Sequence, residues 1–198
     1  ETNRAELAGV ILSEPYFSHK TYGESFYELA VGVERKSGCV DCVRVTVSER
    51  LLKGRCDLRG LSVSVLGQVR TYNEELCGRS KLNIVVFAKE FVVCDEPVKC
   101  CNAIYLEGFI CKPPIRRTSP LGREICDIML AVNRMYNKSD YIPCIAWGRN
   151  AAYAGDLCVG AHLCIEGRLQ SREYKKRDAQ GNCTTHTAYE VSILKIDE

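Results

Sequence analysis

Apolar and polar residues alternate through most of this chain in runs bounded by Gly, Pro, Asn and Asp. A period of two is the mark of strands with one buried face. In the second half the pattern predicts strands over Asn102–Lys112, Arg123–Tyr136, Asp140–Trp147, Cys158–Gln170 and Thr187–Ile196. Lys112-Pro113-Pro114, Ser119-Pro120-Leu121-Gly122 and Asn137-Lys138-Ser139-Asp140 punctuate the connections. One stretch, Arg149–Leu157, reads as a helix; its Ala151, Ala152 and Ala154 suit close packing under a sheet. The first half predicts strands over Asn3–Ser13, Glu24–Lys36, Cys39–Ser48, Gly60–Thr71 and Lys81–Val92, with Cys94–Cys101 as the link.

The two halves are copies. Asn3, Leu7, Gly9, Ile11, Pro15, Gly23, Val33 and Arg35 recur at one constant offset as Asn102, Leu106, Gly108, Ile110, Pro114, Gly122, Val132 and Arg134. A register held that long without a gap implies two versions of one folding unit. The 198 residues therefore divide into an expected N-terminal unit, 1–95, and a C-terminal unit, 102–198, each large enough for its own core. Five strands with a helix between the third and fourth, and a mid-strand glycine in the first, predict an all-β protein of two tandem OB barrels. An immunoglobulin-like sandwich is the competitor, and the interposed helix argues against it.

Charge adds a location. The net charge is only +2, yet Arg168–Arg177 carries Arg168, Arg172, Lys175, Lys176 and Arg177 against Glu173 alone. No run approaches the length of a membrane span. Among the 13 cysteines, those in Ile142-Pro143-Cys144-Ile145 and Leu157-Cys158-Val159 read as small core hydrophobes, consistent with reduced thiols in the cytoplasm. Cys39-Val40-Asp41-Cys42 offers half of a zinc site, but no second pair completes it, so no metal or other cofactor is expected.

Within Asp140–Trp147, strand alternation puts Tyr141, Pro143, Ile145 and Trp147 on one face and the smaller Ile142, Cys144 and Ala146 on the other. The small set fits a barrel interior, which leaves Tyr141 and Trp147, the single tryptophan, outside. Tyr136 ends the preceding strand and Tyr174 lies in the basic run. Exposed rings among cations suit single-stranded nucleic acid, with rings stacking on bases and cations following phosphates. The competing reading has Trp147 closing one barrel end and Tyr141 serving only as a strand former. Glu24/Glu28 and Glu124/Asp127 read as solvent-facing surface charges, and His162 as a half-buried strand histidine. No nucleophile or phosphate-loop motif occurs, so a non-enzymatic protein is expected.

Five ordered segments resemble bacterial single-stranded DNA-binding proteins: Asn102–Gly108, Leu130–Arg134, Asp140–Ala151, Glu166–Tyr174 and Thr187–Val191. The resemblance implies stacking by Tyr136, Tyr141, Trp147 and Tyr174, a DNA-wrapping hairpin over Arg172–Thr185, and single-stranded DNA as partner in replication, repair or recombination. Arg134, Arg149, Arg168, Arg172, Lys175 and Lys176 are the expected cations. It also implies a nucleoid-associated cytoplasmic protein, and a homodimer that assembles four barrels as a pseudo-tetramer. The family's acidic tail has no counterpart before Glu198, so recruitment of repair or replication proteins through it is not expected. The first copy lacks the ring pattern; Tyr22, Phe26, Tyr27 and Tyr72 are its only candidates, which leaves weak binding or a scaffold role. An assembly module indifferent to DNA, and a thiol or metal protein built on Cys39 and Cys42, are the alternatives from other classes.

Overall fold

The computed structural model describes residues 1–197. The first half contains β1 (Asn3–Ile11), β2 (Tyr16–Thr21), β3 (Glu24–Glu34), β4 (Val40–Ser48), α1 (Glu49–Leu52), β5 (Ser62–Leu76) and β6 (Arg79–Cys94). The second repeats the order with β7 (Cys101–Ile110), β8 (Ile115–Thr118), β9 (Glu124–Arg134), β10 (Lys138–Trp147), α2 (Arg149–Gly155), β11 (His162–Arg177) and β12 (Cys183–Asp197). Each half is the expected barrel with one added edge strand. The order β2-β3-β4-β6-β5-β1 is mirrored by β8-β9-β10-β12-β11-β7, and pairings β3–β1 and β7–β9 close the two loops.

Alternation does what it predicts. Along β1, Ala5, Leu7 and Ile11 are buried, and Val43, Val45 and Val47 line the first interior as Ile142, Cys144 and Ala146 line the second. Burial pushes the Cys144 thiol pKa well above its ordinary value. Ile145 departs from expectation: it is fully buried, because β10 meets β12 there in parallel register, Ile145 opposite Ser192. Cys158 is also misplaced by the pattern. It is exposed in the turn before Gly160, as is Val159.

Gly9 and Gly108 mark where each first strand crosses the third. A Cβ at Gly9 would stand 2.1 Å from the Gly32 carbonyl oxygen, and one at Gly108 would stand 2.3 Å from that of Ala131. Gly67 and Gly167 sit at matching bulges in β5 and β11, again with a carbonyl in the way. These four glycines allow the sheet to curl shut.

The edge strands β2 and β8 were not foreseen, because every residue in them is exposed and no buried face leaves a trace. The β5–β6 hairpin runs on to Leu76 and Arg79, past the predicted strands, for the same reason, while the second copy has its long hairpin where the resemblance placed one, over Arg172–Thr185. β11 and β12 stay paired out to Arg177 and Cys183, well past the barrel, as a ribbon that is exposed on both faces. The predicted helix ends at Gly155 rather than Leu157, since the chain turns through Cys158 to Gly160 (φ 90°).

The halves join through β1 and β7, antiparallel from Asn3 opposite Leu106 to Ala8 opposite Cys101. Reciprocal bonds reinforce this seam. Asp140 Oδ1 accepts from the Thr71 backbone N–H at 2.8 Å, and Thr71 Oγ1 accepts from the Tyr141 N–H at 3.0 Å. In mirror fashion, Asp41 Oδ1 accepts from the Ser171 N–H at 3.2 Å, and Ser171 Oγ accepts from the Cys42 N–H at 3.1 Å. Each aspartate also holds an arginine of its own half, Arg35 with Asp41 and Arg134 with Asp140. Contacts that repeat with the roles exchanged define a local two-fold relation.

Two outcomes follow. Asp140→Ala strands a guanidinium and a backbone donor together, and should cost about 3 kcal/mol in urea unfolding. Gly108→Ala, which alters no polar group, should cost about 1–3 kcal/mol through the forced backbone shift.

Candidate nucleic-acid interface

Trp147 ends β10 just before Gly148, whose positive φ of 55° turns the chain into α2. The indole is half-buried, its Nε1 donating to Ser192 Oγ at 3.2 Å, which anchors one edge of the ring. The remainder lines a groove of about 510 Å³ with Arg123, Arg168, Gln170, Arg172 and, from the first half, Arg35. Neither competing reading of Trp147 is complete: the ring is anchored and it also faces an open, cationic groove.

Two guanidiniums crowd there. Burial first, then the proximity of Arg35, pull the Arg168 pKa below its ordinary value, with Asp41 opposing. Arg168 Nε has no hydrogen-bond partner among the described residues. At the other end of the seam, from the strand position that Gln170 holds in the second half, Arg70 makes a like grouping. Burial, then Arg134, lower its pKa against Asp140, and its Nε is equally without a partner. One carboxylate facing two guanidiniums leaves a surplus positive charge at both ends of the seam.

The other sequence-predicted residues are dispersed. Tyr136 is not at a strand end but in the β9–β10 turn, at φ 63° and 88% exposed. Tyr141 is 52% exposed beside the seam. Tyr174 lies within β11, its ring stacked on His186 at 5.6 Å with the Arg172 guanidinium 5.8 Å from its centre. It lines a neighbouring groove of about 500 Å³ with Met129, Pro143 and Arg117. Arg172 is tied to Glu190 at 3.0 Å. Lys175 and Lys176 are exposed on the ribbon and Arg149 on the first turn of α2. Arg134 lines a groove of the other half.

That groove, about 630 Å³, is framed by Tyr16, Phe17, His19, Arg44, Arg70, Tyr72 and Phe87. Beneath it, Glu28 is buried, which corrects its reading as a surface charge. It accepts from the Tyr16 hydroxyl at 2.6 Å and pairs with Arg44. Arg44 in turn donates to Asn83 at 2.8 Å and to the Tyr72 hydroxyl at 3.0 Å. Burial, then Glu28, push the Tyr16 pKa up to about 12. The Arg70 guanidinium lies 4.3 Å above the Phe87 ring, and His19 stacks on Phe26 at 4.9 Å. Of the four rings nominated in the first copy, Tyr72 lines the groove and Phe26 backs it. Tyr27 packs against the core, while Tyr22 projects from a turn.

Sequence reasoning missed Arg35, Arg70, Tyr16, His19 and Phe87. Arg35 was legible as the repeat of Arg134; the others belong to unforeseen β2 or to positions whose counterparts differ between the copies.

The model of the Single-strand binding protein family matches residues 101–197. The Single-stranded DNA-binding protein of Clostridium tetani is 31% identical over 102 residues, covering 48% of this chain and 70% of that protein. The chain belongs to the single-strand binding protein family. Single-stranded DNA-binding protein A of Bacillus subtilis is 34% identical over 86 residues, covering 40% of this chain and 50% of that protein. The chain thus spans about half the length of some of the relatives it matches. Wild-type single-stranded DNA binding protein from Thermus aquaticus has the same fold throughout, with a TM-score of 0.74 over 98% of this chain and 91% of that one at 23% identity. The family model reaches only the second half, whereas the likeness of fold spans both.

Exposure separates rings free to change from rings that also support the fold. Tyr141→Ala should shift unfolding stability by no more than about 0.5 kcal/mol. Trp147→Ala should cost about 1–3 kcal/mol, read from the same urea titration.

Proposed function

We propose that this protein binds single-stranded DNA without strong sequence preference, as a non-enzymatic coat during replication, repair or recombination. The observation that carries the reading is the seam with its two surplus arginines. Among the described residues Arg168 and Arg70 make no salt bridge, their neighbouring carboxylates being held by Arg35 and Arg134, and each lines a groove that also holds an aromatic ring, Trp147 on one side and Phe87 on the other. Rings supply base stacking and the arginines supply phosphate contacts. Tyr136, Tyr141 and Tyr174 extend the stacking surface. Arg134, Arg149, Arg172, Lys175 and Lys176 add cations, the last two on the long hairpin that would wrap the strand.

In this reading residues 1–95 and 102–198 are the two binding units, and the first contributes through its own ring set rather than a copy of the second's. The protein acts at the nucleoid; no helix among the described residues is long and apolar enough to cross a membrane. Two chains would pack to give four barrels. Val10, Val92, Phe109 and Leu194 are exposed on strands of the outer sheet face, and a second copy is the occupant that would cover them. Sedimentation at micromolar concentration should give twice the chain mass, in free protein and with DNA alike.

Titration with oligo(dT) should quench Trp147 fluorescence, and a duplex of equal length should not. The logarithm of affinity should fall with the logarithm of salt by about 0.7 per phosphate neutralised. Trp147→Ala should weaken binding by about 1–3 kcal/mol, and Arg168→Ala with Arg70→Ala should flatten the salt dependence. An oligo(dT) titration with neither quenching nor a mobility shift would overturn the reading.

A further inference from the structure

We infer that the outer face of the second barrel carries a transition-metal site, built by Glu107, His162 and Cys164 and suited to zinc. Their donor atoms lie within 4.8 Å of one another, with His162 Nε2 3.1 Å from Glu107 Oε1. Donors on one tetrahedral zinc, at roughly 2.0 to 2.3 Å from the metal, stand roughly 3.3 to 3.8 Å apart. Closing this trio therefore takes small side-chain rotations, with no movement of the backbone.

Strand register assembles the set. Cys164 of β11 lies opposite Glu107 of β7, and His162 lies opposite Phe109, so the three project from one face of two adjacent strands. The Phe109 ring packs at 5.1 Å from the imidazole and limits its swing. On the other side of β11, Asp197 is directly opposite Cys164. It can supply a fourth ligand once released from its surface pairing with Lys195, or water can fill that position. Thiolate, imidazole and carboxylate together form a mixed set that favours zinc, cobalt or copper over magnesium or calcium.

The duplication provides an internal control. The corresponding sheet positions of the first barrel hold Ala8, Ser62 and Ser64, none of which ligates zinc. Fold alone thus does not place ligating side chains here; of the two copies only the second carries them. His162 is exposed on the outer sheet face rather than half-buried, and the Cys39/Cys42 pair considered from sequence takes no part in the site. All three ligands come from one chain, so the site is complete without a second copy, although it lies on the sheet face where Phe109 would meet one, and it is separate from the DNA grooves.

The test uses the full chain, reduced and stripped with a chelator. Equilibrium dialysis against buffered zinc should leave one tightly held zinc per chain. Substitution by cobalt should give a thiolate-to-metal charge-transfer band. Cys164→Ser and His162→Ala should each weaken zinc binding about tenfold or more, and Cys164→Ser should abolish the band. Glu107→Gln should weaken binding, and Cys39→Ser with Cys42→Ser should leave it unchanged. Circular dichroism would show the variants folded. Zinc affinity in folded Cys164→Ser and His162→Ala equal to that of the unaltered chain, or no zinc retained by the latter, would overturn the assignment. Oligo(dT) binding by the same samples reports the DNA reading independently.

Discussion

Two buried aspartates hold this molecule in its shape. Asp41 and Asp140 are almost wholly removed from solvent, and each binds an arginine of its own barrel and a backbone N–H of the other. A carboxylate in such a place is tolerable only when it is paired with an opposite charge and hydrogen-bonded. Neither barrel answers its aspartate alone. The seam is therefore specified by chemistry as well as by the six paired positions of β1 and β7, and it sets how the grooves on the two barrels face one another.

Much of the fold was legible because burial has a period. Burial in β4 and β10 alternates up to Thr46 and Ile145, which are buried as well where each strand meets the last strand of its barrel, and the repeat of Gly9 at Gly108 marked the closing points of both barrels. What stayed hidden had no inner face. β2, β8 and the outer β5–β6 ribbon are held by backbone pairing with exposed side chains, so hydrophobic pattern carries no record of them. Glu28 was hidden for a different reason. Its burial is made possible by Tyr16 and Arg44, residues whose proximity depends on the barrel having closed.

Legibility of the interface was uneven in the same way. Trp147 could be placed from its strand, but its groove depends on Arg35, which arrives from the other half of the chain. The surplus charge at the seam arises from pairs, Arg35 with Arg168 and Arg134 with Arg70. A count along the sequence found the basic run and passed over these pairs. The two copies have kept the seam and diverged around it. Ser48, which stands where the repeat places Trp147, caps the one-turn helix α1; Ser192 takes the indole bond in the second barrel, while Phe87 holds the matching register position in the first.

Joining both barrels on one polypeptide changes what selection can act on. A dimer of identical subunits must carry every substitution twice, and dilution can separate it. Here the partner is supplied at a fixed effective concentration by the short link between Cys94 and Cys101, so the β1–β7 pairing is indifferent to protein abundance. Each barrel is then free to lose or gain side chains that its neighbour retains, and asymmetry becomes heritable.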